Sequence, residues 1–205
     1  MACTPMVESV AQHPPCNGLD ASARTSAESC AAGFRTFFVL RDRTPVCMRA
    51  IRADDKERLR IAFERLSTRS VYQRFFHPIT ELTPGELHRL TELDFRDHVG
   101  LVLTVEDEAG ERLIAVARFV RVTPGADSAE VGFAVADEYQ NRGAATLLLR
   151  ELVAIAKDCG IRQFVAQVLE DNAEMLRVFH GCKLPLRQKI DGGVRRVELS
   201  LGTER

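Results

Sequence analysis

The sequence predicts an α/β chain built around one sheet, and three observations carry that expectation. Three strand-like segments, VGLVLTVED, RLIAVARFVRV and AEVGFAVA, follow one another across the turn-rich links DEAGE and TPGADS, as an antiparallel meander does. Helix-patterned stretches precede and follow the meander, so apolar layers are available for both faces of a sheet. The length of 205 residues, 45% of them hydrophobic, suffices for one good-sized core.

The elements follow in order. Residues 1–33 mix Pro, Ser, Ala, Asn and Gly without sustained periodicity, which predicts a flexible N-terminal extension, with the folded domain over 34–205. FRTFFVLRDRTPVCMRAIRADD reads as extended segments, TPVCMRAIR being the better strand, ended by the cap-like Asp54 and Asp55. KERLRIAFERLS places Leu59, Ile61, Ala62, Phe63 and Leu66 near helical spacing, and the charge-rich RADDKERLR reads as a solvated helix face with i,i+4 pairs. Thr68 to Phe76 and ELTPGELHRLTEL read as two short helices, the second begun by Thr83 with Pro84 in its first turn. After the meander a long helix is expected over about 142–158. A strand RQFVAQVLE, a short helix AEMLRVFHG and a final strand pair around Asp191-Gly192-Gly193 complete the chain.

Charge and cysteine usage narrow the function. Lys+Arg 28 against Asp+Glu 29 leaves no global field for nucleic acid or a membrane surface. No run of about 18 apolar residues occurs, and the first residues lack a basic and an apolar signal region, so a cytoplasmic location is expected. Cys3, Cys16, Cys30, Cys47, Cys159 and Cys182 lie far apart, without a CxxC pair or a His at metal-ligand spacing. Reduced thiols and no metal are expected, with Cys159 and Cys182 read as buried structural thiols.

DEYQNRGAAT, residues 137–146, joins a strand pattern to a helix pattern. A strand feeding directly into a helix leaves the first helical N–H groups unpaired, and the helix dipole adds partial positive charge there. Gly143, Ala144 and Ala145 let a phosphate approach the backbone; Arg142 could add a charge-assisted contact and Gln140 a neutral one. Neither GxxxxGK[ST] nor GxGxxG is present. The Q-x-x-G-x-A pattern, with the element order from about Val46 to Leu201, resembles the GNAT superfamily of acyl-CoA-dependent N-acetyltransferases.

That resemblance implies a GNAT-type fold: a central mixed, mostly antiparallel sheet of about seven strands with helices on both faces. It implies acetyl-CoA as acyl donor, its pyrophosphate on the amides of the turn formed by Gln140, Asn141, Arg142, Gly143, Ala144, Ala145 and Thr146. Backbone N–H groups near Val135 and Ala136 would polarise the thioester carbonyl, and the strand would splay from RQFVAQVLE after Ala134. Asn172 would contact the cofactor. Many relatives carry a Tyr acid seven residues after that Asn; Phe179 stands there, so water or His180 would have to serve as the acid.

An alkylamine with a pKa near 10.4 needs a base before it can attack a thioester. Glu130 is the one carboxylate in the apolar run SAEVGFAV, and burial drives a carboxylate toward the range where it acts as a base. YQRFFHPITELTPGELHRLTELDFRDHVGLV followed by that strand Glu is similar to the acetyltransferase domain of bacterial protein lysine acetyltransferases, which modify acyl-CoA synthetases. The resemblance implies Glu130 as general base and a protein lysine as acceptor. It also places Tyr72, Arg74, Phe75 and Phe76 on the acceptor side. A small-molecule amine acceptor and a non-catalytic acyl-CoA sensor are the alternatives.

Overall fold

The computed structural model describes residues 32–202, so the extension expected over 1–33 falls almost wholly outside the described residues. Eight strands form one sheet: β1 (Arg35–Val39), β2 (Pro45–Ala50), β3 (His98–Asp107), β4 (Gly110–Arg121), β5 (Ser128–Val135), β6 (Gln163–Leu169), β7 (Leu186–Asp191) and β8 (Val194–Ser200). Five helices accompany them: α1 (Lys56–Glu64), α2 (Thr68–Phe75), α3 (Pro84–Thr91), α4 (Ala144–Asp158) and α5 (Ala173–Gly181). The strand order is β1-β2-β3-β4-β5-β6-β8-β7. Among the described strands only β5 and β6 are parallel; α4 forms the crossover between them. The eighth strand is β1, which hairpins onto β2 and completes the edge from the extended stretch before Pro45.

Two apolar layers flank the sheet. On one face Leu148, Leu149 and Leu152 of α4 and Phe179 of α5 pack against Leu101, Leu103, Ala117 and Phe119. On the other, Leu59, Phe63, Val71, Phe75 and Leu87 of α1–α3 pack on Ile51, Val102 and Leu113. Central strands covered on both faces lose the alternating pattern, which is why β3 reads as a continuous buried run. The helix starts follow their sequence signals: Ser67 caps α2 through its hydroxyl, and Thr83 with Glu86 forms a capping box at α3.

One polar network joins the helical cap to the sheet. Arg49 of β2 donates to both oxygens of Asp55 at 2.6 and 2.8 Å and to both of Glu111 on β4 at 2.8 and 2.9 Å. Asp55 is fully buried rather than on a solvated face, while Arg60 pairs with Glu57 and Glu64 on the outer face as the spacing predicts. No described helix is long and apolar enough to cross a membrane.

Candidate active site

The parallel pairing of β5 with β6 lasts three residues, Ser128 to Glu130 against Gln163 to Val165. Beyond Glu130 the strands part, earlier than the expected point after Ala134, while β5 stays paired with β4 through Val135. The N–H of Ala136 donates to Ile114 at 2.9 Å and that of Val122 to Ser128 at 3.1 Å. This register makes the odd-numbered β5 residues non-hydrogen-bonded partners of β4; the Val131 amide is taken up by the Glu130–Val165 pairing with β6, and those of Phe133 and Val135 turn into the slot. Ala136, expected beside Val135 as an oxyanion donor, has its N–H committed to β4. The slot opens into a cleft of about 600 Å³.

At one end of the cleft lies the DEYQNRGAAT turn. Gly143 caps α4 at φ 95°, a left-handed conformation that costs other residues about 1–2 kcal/mol. The first intrahelical bond runs from Leu147 N–H to the Gly143 carbonyl, so the amides of Ala144, Ala145 and Thr146 have no partner inside the helix and face the cleft. No side chain caps this end. The arrangement is a backbone anion site. Asn141, at φ 60°, also lines it.

Two expected turn contacts are engaged elsewhere. The Arg142 guanidinium pairs with Asp42 at 2.5 Å and lies 5.2 Å from the Tyr139 ring centre, outside the cleft lining. The Gln140 side-chain amide donates to the Val135 carbonyl at 3.2 Å and to the Ser70 hydroxyl at 3.0 Å. Asp137 accepts from Ser67 N–H and from the hydroxyls of Ser67 and Ser70, at 2.7 to 2.8 Å. These bonds tie the turn to the start of α2, so the two sides of the cleft are held as one unit. The cation beside Gly143 is instead Arg41, whose N–H donates to the Arg142 carbonyl and whose side chain lines the cleft.

Glu130 is half-buried at the fork where β5 leaves β6, and its carboxylate shares the cleft with the turn amides. Arg74 of α2 faces it. Desolvation pushes the Arg74 guanidinium down to about 10, opposed by the charge of Glu130, and it stays cationic at neutral pH. Arg74, Phe75 and Phe76 line the cleft. Phe75 also stacks edge-on with Phe63 in the core, and Phe76 ends α2 in a left-handed cap that turns the chain into the cleft wall. Tyr72 does not join them: Val71 and Phe75, one turn apart, form the buried stripe of α2, and Tyr72 beside it is 47% exposed and outside the cleft lining.

Opposite, Asn172 caps α5 by accepting from Met175 N–H at 3.0 Å, and it borders the cleft. Phe179 is buried and packs edge-on against Phe133 at 6.0 Å, presenting a ring edge where an acid was sought. His180 is exposed and meets Gln188 of β7, away from the cleft. Cys47, Cys159 and Cys182 are half-buried rather than buried, and none lines the cleft. Among the described residues no group of His, Cys, Asp or Glu could hold a metal.

Comparison with known proteins agrees with this geometry. The sequence profile of the Acetyltransferase (GNAT) family matches residues 66–182. Acetyltransferase Pat of Mycolicibacterium smegmatis is 37% identical over 131 residues, 64% of this chain and 38% of that protein. The chain thus matches well under half the length of that relative. Acetyltransferase PA5475 of Pseudomonas aeruginosa is 29% identical over 142 residues, 69% of this chain and 76% of that protein. The solved GNAT domain of S. lividans PAT superposes with a TM-score of 0.74 at 38% identity, covering 81% of this chain and 96% of that one. A Salmonella typhimurium acetyltransferase, yncA, solved with its cofactor acetyl-CoA, shares the fold at 19% identity and a TM-score of 0.61. The chain belongs to the GNAT family of acetyl-CoA-dependent acetyltransferases.

Proposed function

We propose that this acetyltransferase moves the acetyl group directly to the side-chain amine of a protein lysine, with Glu130 as general base. The observation that carries the reading is the position of Glu130: the last residue paired across β5 and β6, at the fork of the slot and within the cleft that the turn amides close. The amides of Ala144, Ala145 and Thr146, with Arg41 beside them, would hold the pyrophosphate of the donor. The outward amides of Phe133 and Val135 would face the pantetheine arm, and Val135 N–H would polarise the thioester carbonyl. Glu130 would take the proton of the bound ammonium, directly or through one water. The new N–C bond then forms as the C–S bond breaks, and the second proton, shed by the amine nitrogen as it becomes an amide, would pass through water to the thiolate, so that coenzyme A leaves as the thiol.

The lysine assignment is supported by the resemblance to bacterial protein lysine acetyltransferases and by an acceptor wall built from α2 over the cleft. The buried Phe179, which cannot donate a proton, is the one feature that favours a non-catalytic acyl-CoA sensor. The test is release of coenzyme A from acetyl-CoA with an acyl-CoA synthetase, a lysine peptide and small amines as acceptors. Turnover with the protein or peptide supports the reading; turnover only with a small amine sinks the lysine assignment, and saturable binding without turnover favours the sensor.

A further inference from the structure

One wall of the acceptor end carries a charge that no described residue answers. Arg118 sits in the middle of β4, only 5% exposed, between Gly100 and Gly132 on the flanking strands. It lines a side chamber of about 70 Å³ beneath the α1–α3 cap. Among the described residues its guanidinium makes no hydrogen bond or ion pair, and its Nε is sealed from solvent. The chain treats Arg49 differently, giving it the carboxylates of Asp55 and Glu111. Burying a charge is tolerated only when it is paired and hydrogen-bonded, so an unanswered guanidinium implies a missing partner.

The chamber opens on the cleft. Leu66, Arg74, Phe75, Gly132 and Ala134 border both spaces, so Arg74 reaches the same point from α2. The neighbours add no compensating charge. Arg74 and Arg89 repel Arg118, and burial with Arg118 holds His98 neutral, its pKa lowered to about 3. Glu130, the carboxylate that acts on Arg74, lies in the cleft itself. Apart from Arg74 and Arg118 the chamber is apolar, with Ile51, Phe63 and Leu113 in its walls. A planar carboxylate on a short apolar stem suits that shape and the fork of a guanidinium.

We propose that this chamber is an anion subsite of the acceptor: a carboxylate carried close to the reactive amine seats against Arg118 and Arg74. The inference rests on the reading of the Glu130 cleft as the site of acetyl transfer. The carboxylate belongs either to an acidic side chain beside the target lysine or to the acceptor's own backbone when it is a free amino acid.

The experiment compares acceptors matched in amine. Lysine peptides differ by a neighbouring Glu or Gln, and free lysine is set against cadaverine, with wild type, Arg118→Met, Arg118→Lys and Arg74→Met. Wild type should favour the carboxylate-bearing member of a pair by about 10- to 100-fold in kcat/KM, mainly through KM. Arg118→Met should abolish that preference and Arg118→Lys restore part of it; the pair that responds identifies the source of the carboxylate. Equal rates within both pairs, or a preference that survives Arg118→Met, overturns the proposal. A second readout needs no turnover, so the subsite can fail separately from the acetyl-transfer reading. Glutarate should raise the Tm of wild type above chloride at equal ionic strength, and should do so less for Arg74→Met. No shift in wild type overturns the subsite even if acetyl transfer is intact.

Discussion

Replacing Glu111 by Gln should cost stability in a pH-dependent way that isolates one network. The Glu111 carboxylate accepts from Arg49 at 2.8 and 2.9 Å and from the Thr104 hydroxyl at 3.0 Å, with its side chain 22% exposed. Hydrogen bonds and charge from Arg49 lower its pKa from 4.5 to about 2, against the opposing effect of burial. A shift of that size corresponds to about 3 kcal/mol at neutral pH, which solvent screening of a partly exposed group reduces to about 2 kcal/mol. The folded pKa lies below the unfolded one, so the contribution is complete above about 4.5 and is lost as pH falls through about 2. Urea unfolding of wild type and Glu111→Gln should therefore differ by about 2 kcal/mol at pH 7 and by less than half of that near pH 3. A difference below about 0.5 kcal/mol at pH 7, or one unchanged near pH 3, would refute the argument.

The other expectations concern the cap, the cofactor turn and the core. Arg49→Met removes the two short bonds to the buried Asp55, leaving it only the half-exposed Arg58 and the Arg52 amide, and should destabilise the fold by about 3 kcal/mol in denaturant titration. Gly143→Ala places a Cβ at a positive φ beside Arg41, and should raise KM for acetyl-CoA more than it changes kcat. Phe179→Ala empties a fully buried ring site against Phe133 and should cost about 3–5 kcal/mol, read by thermal or urea unfolding. His98, neutral in the fold to about pH 3, makes stability fall as pH drops below its ordinary 6.5, because the unfolded chain then binds the extra proton. His98→Gln should flatten the stability curve between about pH 6 and pH 4.

Local chemistry made much of this protein legible. The meander, the helix starts at Ser67 and Thr83 and the Gly143 turn each have a cause within a few residues. The family resemblance added the mixed sheet and the role proposed for Glu130. What sequence could not reach was set by distant partners. Arg142 is taken by Asp42, a hundred positions away, and faces away from the task its spacing suggested, while Gln140 lines the cleft but commits its side-chain amide to Ser70 and Val135. The role of Asp55 depended on Arg49 and Glu111 meeting across three elements. Arg118 left a readable signal, a lone cation inside the apolar run IAVARFV, but its meaning needed the glycines on both neighbouring strands. The sequence pattern also missed the early fork of β5 and β6, since both strands continue as strands after they separate.

The most direct test of the central claim is single-turnover acetyl transfer by Glu130→Gln with saturating acetyl-CoA and an acceptor that wild type uses, alongside calorimetric binding of acetyl-CoA. The account predicts a rate lower by about 10²- to 10⁴-fold with a Kd for acetyl-CoA close to that of wild type. A Glu130→Gln protein that transfers acetyl at the wild-type rate would contradict it.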